Sequence, residues 1–575
     1  MKRLLRYLKP YTKECVLGPL FKLLEATFEL FVPLVIASLI DRGIADADGG
    51  TIWKMGALLV GLALVGLVSA ITAQYFAAKA ATGFAASLKH AVFSHLGSLS
   101  FSARDALGTS TMVTRLTSDA DQVQNGVNLT LRLFLRSPFI VFGAMVMAFV
   151  VDGRAAWIFV AAIPLLSLVV FGIMLRTMPL YKKAQAGLDG VTGTLRENLN
   201  GVRVIRAFRQ EADETARFDA ENDALTKLNE FVGRISAAMN PLTYVILNAA
   251  LIVLLHTGAV RVNVGSLTQG EVVALVNYLM QILVELIKLA NLIITMTRAF
   301  ACADRIAQVL EIKPGMESGS ARPTENAEPL VSLENVSMRY DGAGGDALSG
   351  ITLSASRGET VGVIGPTGCG KSTLVQLIPR FYDATAGTVR IDGVDVKDYD
   401  LAALRRRIGI VPQKAQLFKG TIRDNLLWGD PDATDDRLWA ALETAQAAEF
   451  VRTREGGLDA PVEQNGRNFS GGQRQRLTIA RALVRKPDIL ILDDSASALD
   501  LATDAALRRA LRETDGAPVV FIVSQRAASL LHADRILVLE DGRAAGLGTH
   551  EELLASCPLY REIYDSQFPK EATAV

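Results

Sequence analysis

The chain reads as two folds in series: a polytopic α-helical membrane part with six transmembrane helices, then a soluble α/β part. Three observations predict this. Half of the 575 residues are hydrophobic while 21% are charged, an average that fits an apolar part joined to a polar one. Long apolar runs crowd the first 300 or so residues. Beyond them come alternating strand patterns such as LVSLENVSMRY and strand–loop–helix units. A chain of this length also exceeds what one ordinary core organises.

The N-terminus, MKRLLRYLKPYTK, is basic and amphipathic, which predicts a membrane-surface helix rather than a cleavable signal. A bilayer crossing needs about 20 apolar residues. Six runs qualify, near 15–40, 54–80, 131–152, 156–176, 240–261 and 271–297, the third and fourth parted by a turn at Asp152, Gly153 and Arg154. Polar, helix-favouring stretches at 81–130 and 177–239 are rich in Arg and Lys, whereas the loop DRGIADADGG (41–50) is acid-leaning. The positive-inside rule then puts both termini and both stretches in the cytoplasm. Residues 1–311 are expected to form a membrane domain with two cytoplasmic hairpins. A Pro/Gly/Ser/Glu-rich linker (312–330), a soluble domain (331–568) and a tail (569–575) should follow.

Charges inside the spans need partners, because lipid does not solvate them. Lys22, Glu25 and Glu29 fall at i, i+3 and i+7 of the first span, and Glu285 and Lys288 are three apart in the sixth. Two readings stay open: pairing within and between helices, or Glu25, Glu29 and Glu285 as the charged lining of a substrate cavity. Net charge is zero, so nothing favours nucleic acid as a partner. Cys15, Cys302, Cys369 and Cys557 show no metal-ligand or disulfide spacing, which fits a reducing interior.

In the soluble part, GPTGCGKST follows the apolar strand TVGVIG and precedes the helix-like TLVQLIPRF. Gly365, Pro366, Thr367, Gly368, Cys369, Gly370, Lys371, Ser372 and Thr373 make a phosphate-binding loop. Its backbone N–H groups cradle phosphates, Lys371 neutralises β/γ charge, and the Ser372 hydroxyl suits Mg²⁺. A chance match in this length is about a 2% event from average composition. Further on, Ile489 to Leu492 should be a buried parallel strand ending in Asp493, placed to hold Mg²⁺ through water. Between the two, NFSGGQRQR offers Ser470, Gly471, Gly472 and Gln473 at a helix start, another phosphate-binding arrangement.

This set of motifs resembles the ATP-binding cassette transporters almost end to end. Six spans, two inward hairpins and one cassette resemble a half-transporter of the exporter type, and such halves work as dimers. The resemblance implies that Tyr340 stacks on adenine, that Gln413 (in IVPQKAQLF) touches Mg²⁺ and senses the membrane domain, and that ATP and Mg²⁺ are the ligands. It makes Ser497, Ala498, Leu499 and Asp500 the loop that communicates across the dimer. It also gives RLTSDADQVQ (115–124) and ENLNGVRVIRAF (197–208) the docking of hairpin tips on cassettes. Cys369 should fill space in its loop; a maleimide there is expected to block ATP binding, with bound ATP protecting it.

Three positions depart from the family pattern. Asp494 stands where a catalytic glutamate is usual, Gln525 (in FIVSQRAAS) where a switch histidine is usual, and Gln464 (in VEQNG) where an acid is usual. The signature itself, FSGGQ, differs only by Phe469 for leucine. Binding groups are kept while chemistry groups are altered. The combination resembles the degenerate-site subunit of bacterial heterodimeric multidrug exporters. It implies a multi-pass protein of the bacterial cell membrane, a homologous half-transporter as partner, and an amphipathic drug or lipid as cargo. The alternatives are a slow homodimeric exporter of lipid or peptide, or an ATP-gated, channel-like regulator.

Overall fold

Among the described residues, six helices are long and apolar enough to cross a membrane: Leu4–Ile44, Gly49–Ser98, Thr109–Val151, Ala156–Ala207, Glu211–Asn263 and Gln269–Glu311. The computed structural model describes residues 2–321, 328–495, 499–513 and 518–568. The fourth long helix has 52 residues, so it runs roughly 78 Å at 1.5 Å per residue, far beyond a hydrocarbon core of about 30 Å. The surplus of this helix and of its neighbours forms the polar hairpins.

Local chemistry sets the helix ends. Asp152 accepts from the N–H groups of Arg154 and Ala155, each at 2.8 Å, and pairs with Arg261 at 2.7 Å, which makes the sharp turn between the third and fourth helices. Thr268 and Glu271 form a reciprocal capping box at the start of the sixth.

The charges in the spans meet around one residue the sequence reading passed over. Arg136, at the start of the third span, binds Glu285 at 2.5 Å and Glu29 at 2.6 Å, with Glu25 at 3.9 Å. Lys22 pairs with Glu25 and Lys288 with Glu285, while the Ser137 hydroxyl donates to the other Glu285 oxygen. The cations Lys22, Arg136 and Lys288 match the anions Glu25, Glu29 and Glu285 one for one, so the cluster is neutral. Glu285 is 2% exposed with both oxygens engaged. That corrects the charged-lining expectation for Glu285: it faces Arg136, because desolvating a carboxylate is offset only by a close cation. Glu25 and Glu29 turn to the same guanidinium.

The chain divides into two units, Met1–Ser98 with Gly108–Lys313, and Leu99–Leu107 with Pro314–Val575. The second unit includes a short helix, α1 (Phe101–Leu107), that comes from the first hairpin. Phe101 packs on Phe381 with ring centroids 4.5 Å apart, and the Tyr382 hydroxyl donates to Asp105 at 2.6 Å. The expected docking segments at 115–124 and 197–208 both belong to the first unit. In RLTSDADQVQ (115–124), Asp119 is tied to Arg305 and Arg115. The other, 197–208, ends the fourth long helix.

The expected linker is partly laid down. Gly319 and Ala321 donate main-chain hydrogen bonds to Tyr399 and Asp398, at 3.0 and 2.9 Å. Residues 322–327 lie outside the described residues.

The rest of the second unit is α/β. Its strands are β1 (Val331–Met338), β2 (Leu348–Ala355), β3 (Thr360–Ile364), β4 (Ala386–Ile391), β5 (Val394–Asp395) and β6 (Ile408–Val411), followed by β7 (Gly420–Thr421), β8 (Pro461–Val462), β9 (Ile489–Asp493), β10 (Val519–Val523), β11 (Arg535–Glu540) and β12 (Arg543–Gly548). The main sheet has the order β12-β11-β3-β10-β9-β6, parallel except for β12. An antiparallel sheet, β2-β1-β4-β5, and the pair β7-β8 complete the set. In β9, Ile489 and Ile491 enter one core cluster while Leu490 and Leu492 enter another. A strand covered on both faces must be apolar throughout, which is why ILIL reads as an unbroken run.

Candidate nucleotide site

Ligands of parallel α/β sheets bind beyond the carboxyl ends of the strands, and here three adjacent strands end together. β3 runs into the loop from Gly365, β9 ends at Asp493, and β10 ends at Val523, with Val523 in register with both Asp493 and Val363. The cleft above them has a volume of about 310 Å³, within the size range of ligand pockets. It is lined by Tyr340, Thr367, Gly368, Gly370, Lys371, Ser372, Thr373, Gln413, Asp493, Asp494 and Gln525, with Ala347 and Val523.

The loop is shaped by backbone that only glycine takes easily. Gly368 and Gly370 have φ of +86° and +97°, and a Cβ on Gly370 would lie 2.6 Å from the Ala347 carbonyl. Lys371 opens helix α2 (Lys371–Leu377), and its ammonium donates to the Gly365 and Pro366 carbonyls at 2.8 and 2.6 Å. Gly365 and Pro366 thus act beneath the loop, by holding that lysine, and neither lines the cleft. Cys369 lies beneath it too, 3% exposed and 3.7 Å from the lysine nitrogen. That burial favours the space-filling reading and stands against ready access of a maleimide to the thiol.

On the metal side, the Ser372 hydroxyl donates to Asp493 Oδ1 at 3.0 Å. Burial pushes the Asp493 carboxyl above the usual carboxylate range and the Asp494 carboxylate adds to this, against the lowering effects of Ser372 and Lys371. An acid and a hydroxyl held so close, with surplus negative charge beside them, fit a hard divalent cation such as Mg²⁺.

Asp494 takes the left-handed backbone conformation, with φ of 47°, and its N–H donates to Val523 at 2.9 Å. Its carboxylate accepts from Gln413 Nε2 at 3.2 Å, so these two cleft residues are already joined. Gln525 extends from the loop after β10 and is exposed. Tyr340 meets Thr373 through its hydroxyl at 3.0 Å and packs edge-on against Tyr382, ring centroids 5.2 Å apart. Burial, with the Asp105 carboxylate next, holds the Tyr382 phenol above the usual phenol range. Tyr382 and Asp105 join the Tyr340 end of the cleft to α1. The sequence reading missed both, since a seven-residue helix shows no readable period.

The signature lies elsewhere. Ser470 caps helix α3 (Gly471–Val484) in a reciprocal box with Gln473, while nothing lies within 4 Å of a Cβ built on Gly471. None of Ser470, Gly471, Gly472 and Gln473 lines the cleft of the same unit. Phe469 is buried beneath the Arg454 guanidinium, 4.0 Å from the ring centre, which shows how a ring replaces leucine there. Gln464 sits in a short turn before it, beside Asn465 at φ of 60°. In the loop after Asp494, Leu499 is buried and Asp500 caps the helix Leu501–Arg512 through Thr503 at 2.8 Å; Ser497 and Ala498 lie outside the described residues.

Lys371→Ala is expected to weaken ATP binding by at least about tenfold, since a hydrogen bond to a charged group is worth about 1.5–3 kcal/mol. Photolabelling of the full chain with an azido-ATP measures it.

A phosphate loop, an acid-ended central strand and a separate signature, joined in one chain to six membrane helices, define an ATP-hydrolysing membrane transporter. Comparison with known proteins agrees: residues 15–286 match the ABC transporter transmembrane region and residues 348–497 the ABC transporter domain. The chain belongs to the ABC transporters, as a multi-pass membrane half-transporter of the exporter type, and exporters of this family work as dimers.

An uncharacterised ABC transporter ATP-binding protein of Mycobacterium tuberculosis is 36% identical over 569 residues, covering 98% of this chain and 97% of the relative. A putative multidrug export ATP-binding/permease protein of Bacillus subtilis is 31% identical over 579 residues (99% of each chain). The ATP-dependent lipid A-core flippase of Vibrio vulnificus is 28% identical over 569 residues (99% and 97%). In fold, the chain is similar to a bacterial Atm1-family ABC exporter with ATP bound, with a TM-score of 0.79 at 23% identity and 98% and 99% coverage.

Proposed function

We propose that this chain is one subunit of a heterodimeric exporter, holding ATP in an impaired site of its own and lending an intact signature to its partner's site. The observation that carries this reading is Asp494 together with Gln525 lining the same cleft as Tyr340, Lys371, Ser372 and Asp493. Aspartate is one methylene shorter than glutamate, so its carboxylate sits over 1 Å back from the water it would polarise; a misplacement of about 1 Å costs on the order of 10²-fold in rate. The hydrogen bond from Gln413 holds that carboxylate at the cleft wall. Gln525 can donate to a γ-phosphate but carries neither a titratable proton nor a positive charge.

In this reading Tyr340 stacks on the base, Lys371 and the loop N–H groups hold the phosphates, and Ser372, Asp493 and Gln413 hold Mg²⁺. When bound, Mg²⁺ neutralises charge on the β- and γ-phosphates. Ser470 to Gln473 complete the partner's site, and their absence from this chain's own cleft supports that assignment. The relatives' names support an amphipathic drug or lipid as cargo. The Arg- and Lys-rich hairpins support cytoplasmic termini, and the bacterial relatives support a bacterial cell-membrane location.

The test is the ATPase of the purified pair. Asp494→Asn should leave turnover within about threefold, because a base already misplaced contributes little. Neutralising the partner's matching acid should remove nearly all of it. Near-complete loss from Asp494→Asn would sink the asymmetric model.

A further inference from the structure

The loop carrying Gln525 is held from a direction the nucleotide chemistry does not explain. Helix α4 (Pro558–Gln567) is the last helix among the described residues, and its final residue points its amide at this loop. Gln567 Nε2 donates to the Gln525 carbonyl at 2.8 Å, and Gln567 Oε1 accepts from the Ala527 N–H at 2.8 Å. The amide therefore bridges two main-chain groups two residues apart, as a neighbouring strand would. The reverse orientation would set carbonyl against carbonyl and N–H against N–H, so the network fixes it.

Other ties come from the cleft's own framework and from Arg508, whose guanidinium donates to the Ser529 carbonyl at 3.0 Å. Ser524 N donates to Val363 at 3.1 Å and the Ser524 hydroxyl accepts from Arg526 N at 2.9 Å. Gln567 alone among these ties belongs to the C-terminal helix. That helix has a firm seat: Tyr560 is fully buried, and its hydroxyl meets His550 Nδ1 at 2.8 Å.

We propose that Gln567 is a positioning residue for the γ-phosphate side of this chain's ATP site: α4, through Gln567, aims Gln525 and so sets how long ATP stays bound. This rests on the reading that Gln525 faces the γ-phosphate. Only an amide supplies one donor and one acceptor across that span, so the effect should be chemical as well as steric. Glutamate keeps the acceptor for Ala527 and loses the donor to Gln525; leucine loses both.

The test uses the full-length chain with its partner in nanodiscs, the partner's own phosphate-loop lysine neutralised so that only this site binds. Dissociation of mant-ATP and of mant-ADP, each with Mg²⁺, is followed by stopped-flow chase. Gln567→Leu should speed mant-ATP release about fivefold, the loss expected from about one net hydrogen bond. Gln567→Glu should speed it less, and mant-ADP release should stay unchanged in both, since ADP has no γ-phosphate. In a Gln525→Ala background, Gln567→Leu should add nothing further.

Equal effects on the two nucleotides would reduce Gln567 to a general structural prop and overturn the proposal. So would unchanged mant-ATP release in Gln567→Leu while Gln525→Ala accelerates it. If Gln525→Ala itself leaves mant-ATP release unchanged, the γ-phosphate reading of Gln525 falls first and the clamp with it.

Discussion

Gly471→Asp in this chain is expected to stop ATP turnover in the assembled exporter, by on the order of 10²-fold or more, while this chain still binds its own ATP. The substitution keeps the backbone N–H but sets a carboxylate facing the γ-phosphate, whose repulsion holds that phosphate off the donors at the helix start; a donor of this kind is worth about 10²–10³-fold. The substitution is mild for the fold. Gly471 opens α3, nothing lies within 4 Å of a Cβ built there, and an acid in a helix's first turn is favourable. ATPase of the pair, beside its melting temperature and azido-ATP labelling of this chain, measures the effect. Retention of more than half the activity, with labelling intact, would show that the signature serves no turning-over site. Set against the small expected effect of Asp494→Asn, that result would place the chain's main catalytic contribution in the signature rather than in its own cleft.

The second large effect lies in the membrane unit. Arg136→Met should destabilise the protein by about 3–5 kcal/mol, the cost of leaving a buried carboxylate without its cation. Glu285 is the residue left behind, 2% exposed, with only Lys288 and Ser137 as remaining partners. Joining Glu285→Met to Arg136→Met removes one charge of each sign, leaving Lys22 and Lys288 against Glu25 and Glu29. The double variant should therefore recover most of the loss. Unfolding of the purified full chain in nanodiscs, followed for both single variants and the double, checks this. A double variant no better than either single would mean that Arg136 acts through packing rather than charge. The neutrality of the cluster also bears on cargo. Three cations against three anions leave the cluster without net charge to draw a charged substrate.

Legibility followed distance along the chain. The loop from Gly365, the strand ending at Asp493 and the box at Ser470 are each built by residues within a few positions of one another, and their spacing encodes their geometry. The six spans were equally legible, because crossing a bilayer demands a length of apolar chain that no other role requires. The segment of the first hairpin that joins the second unit was not legible. The helix found against the cassette, Phe101–Leu107, is too short to show periodicity, and its contacts with Phe381 and Tyr382 are remote in sequence.

What the sequence determined by itself, then, is the order of parts, the phosphate chemistry and the departures at Asp494 and Gln525. All of these are questions of residue type at fixed spacing. Only the tertiary structure decided that Arg136 neutralises Glu285 across 149 residues, that Tyr382 reaches Asp105 across 277, and that Gln567 grips Gln525 across 42. Those pairings are chosen by which helix lies against which and where the sheet ends its strands. A buried charge or an open main-chain group accepts whichever partner the packing brings within about 3 Å, and nothing in the local sequence states which one that is.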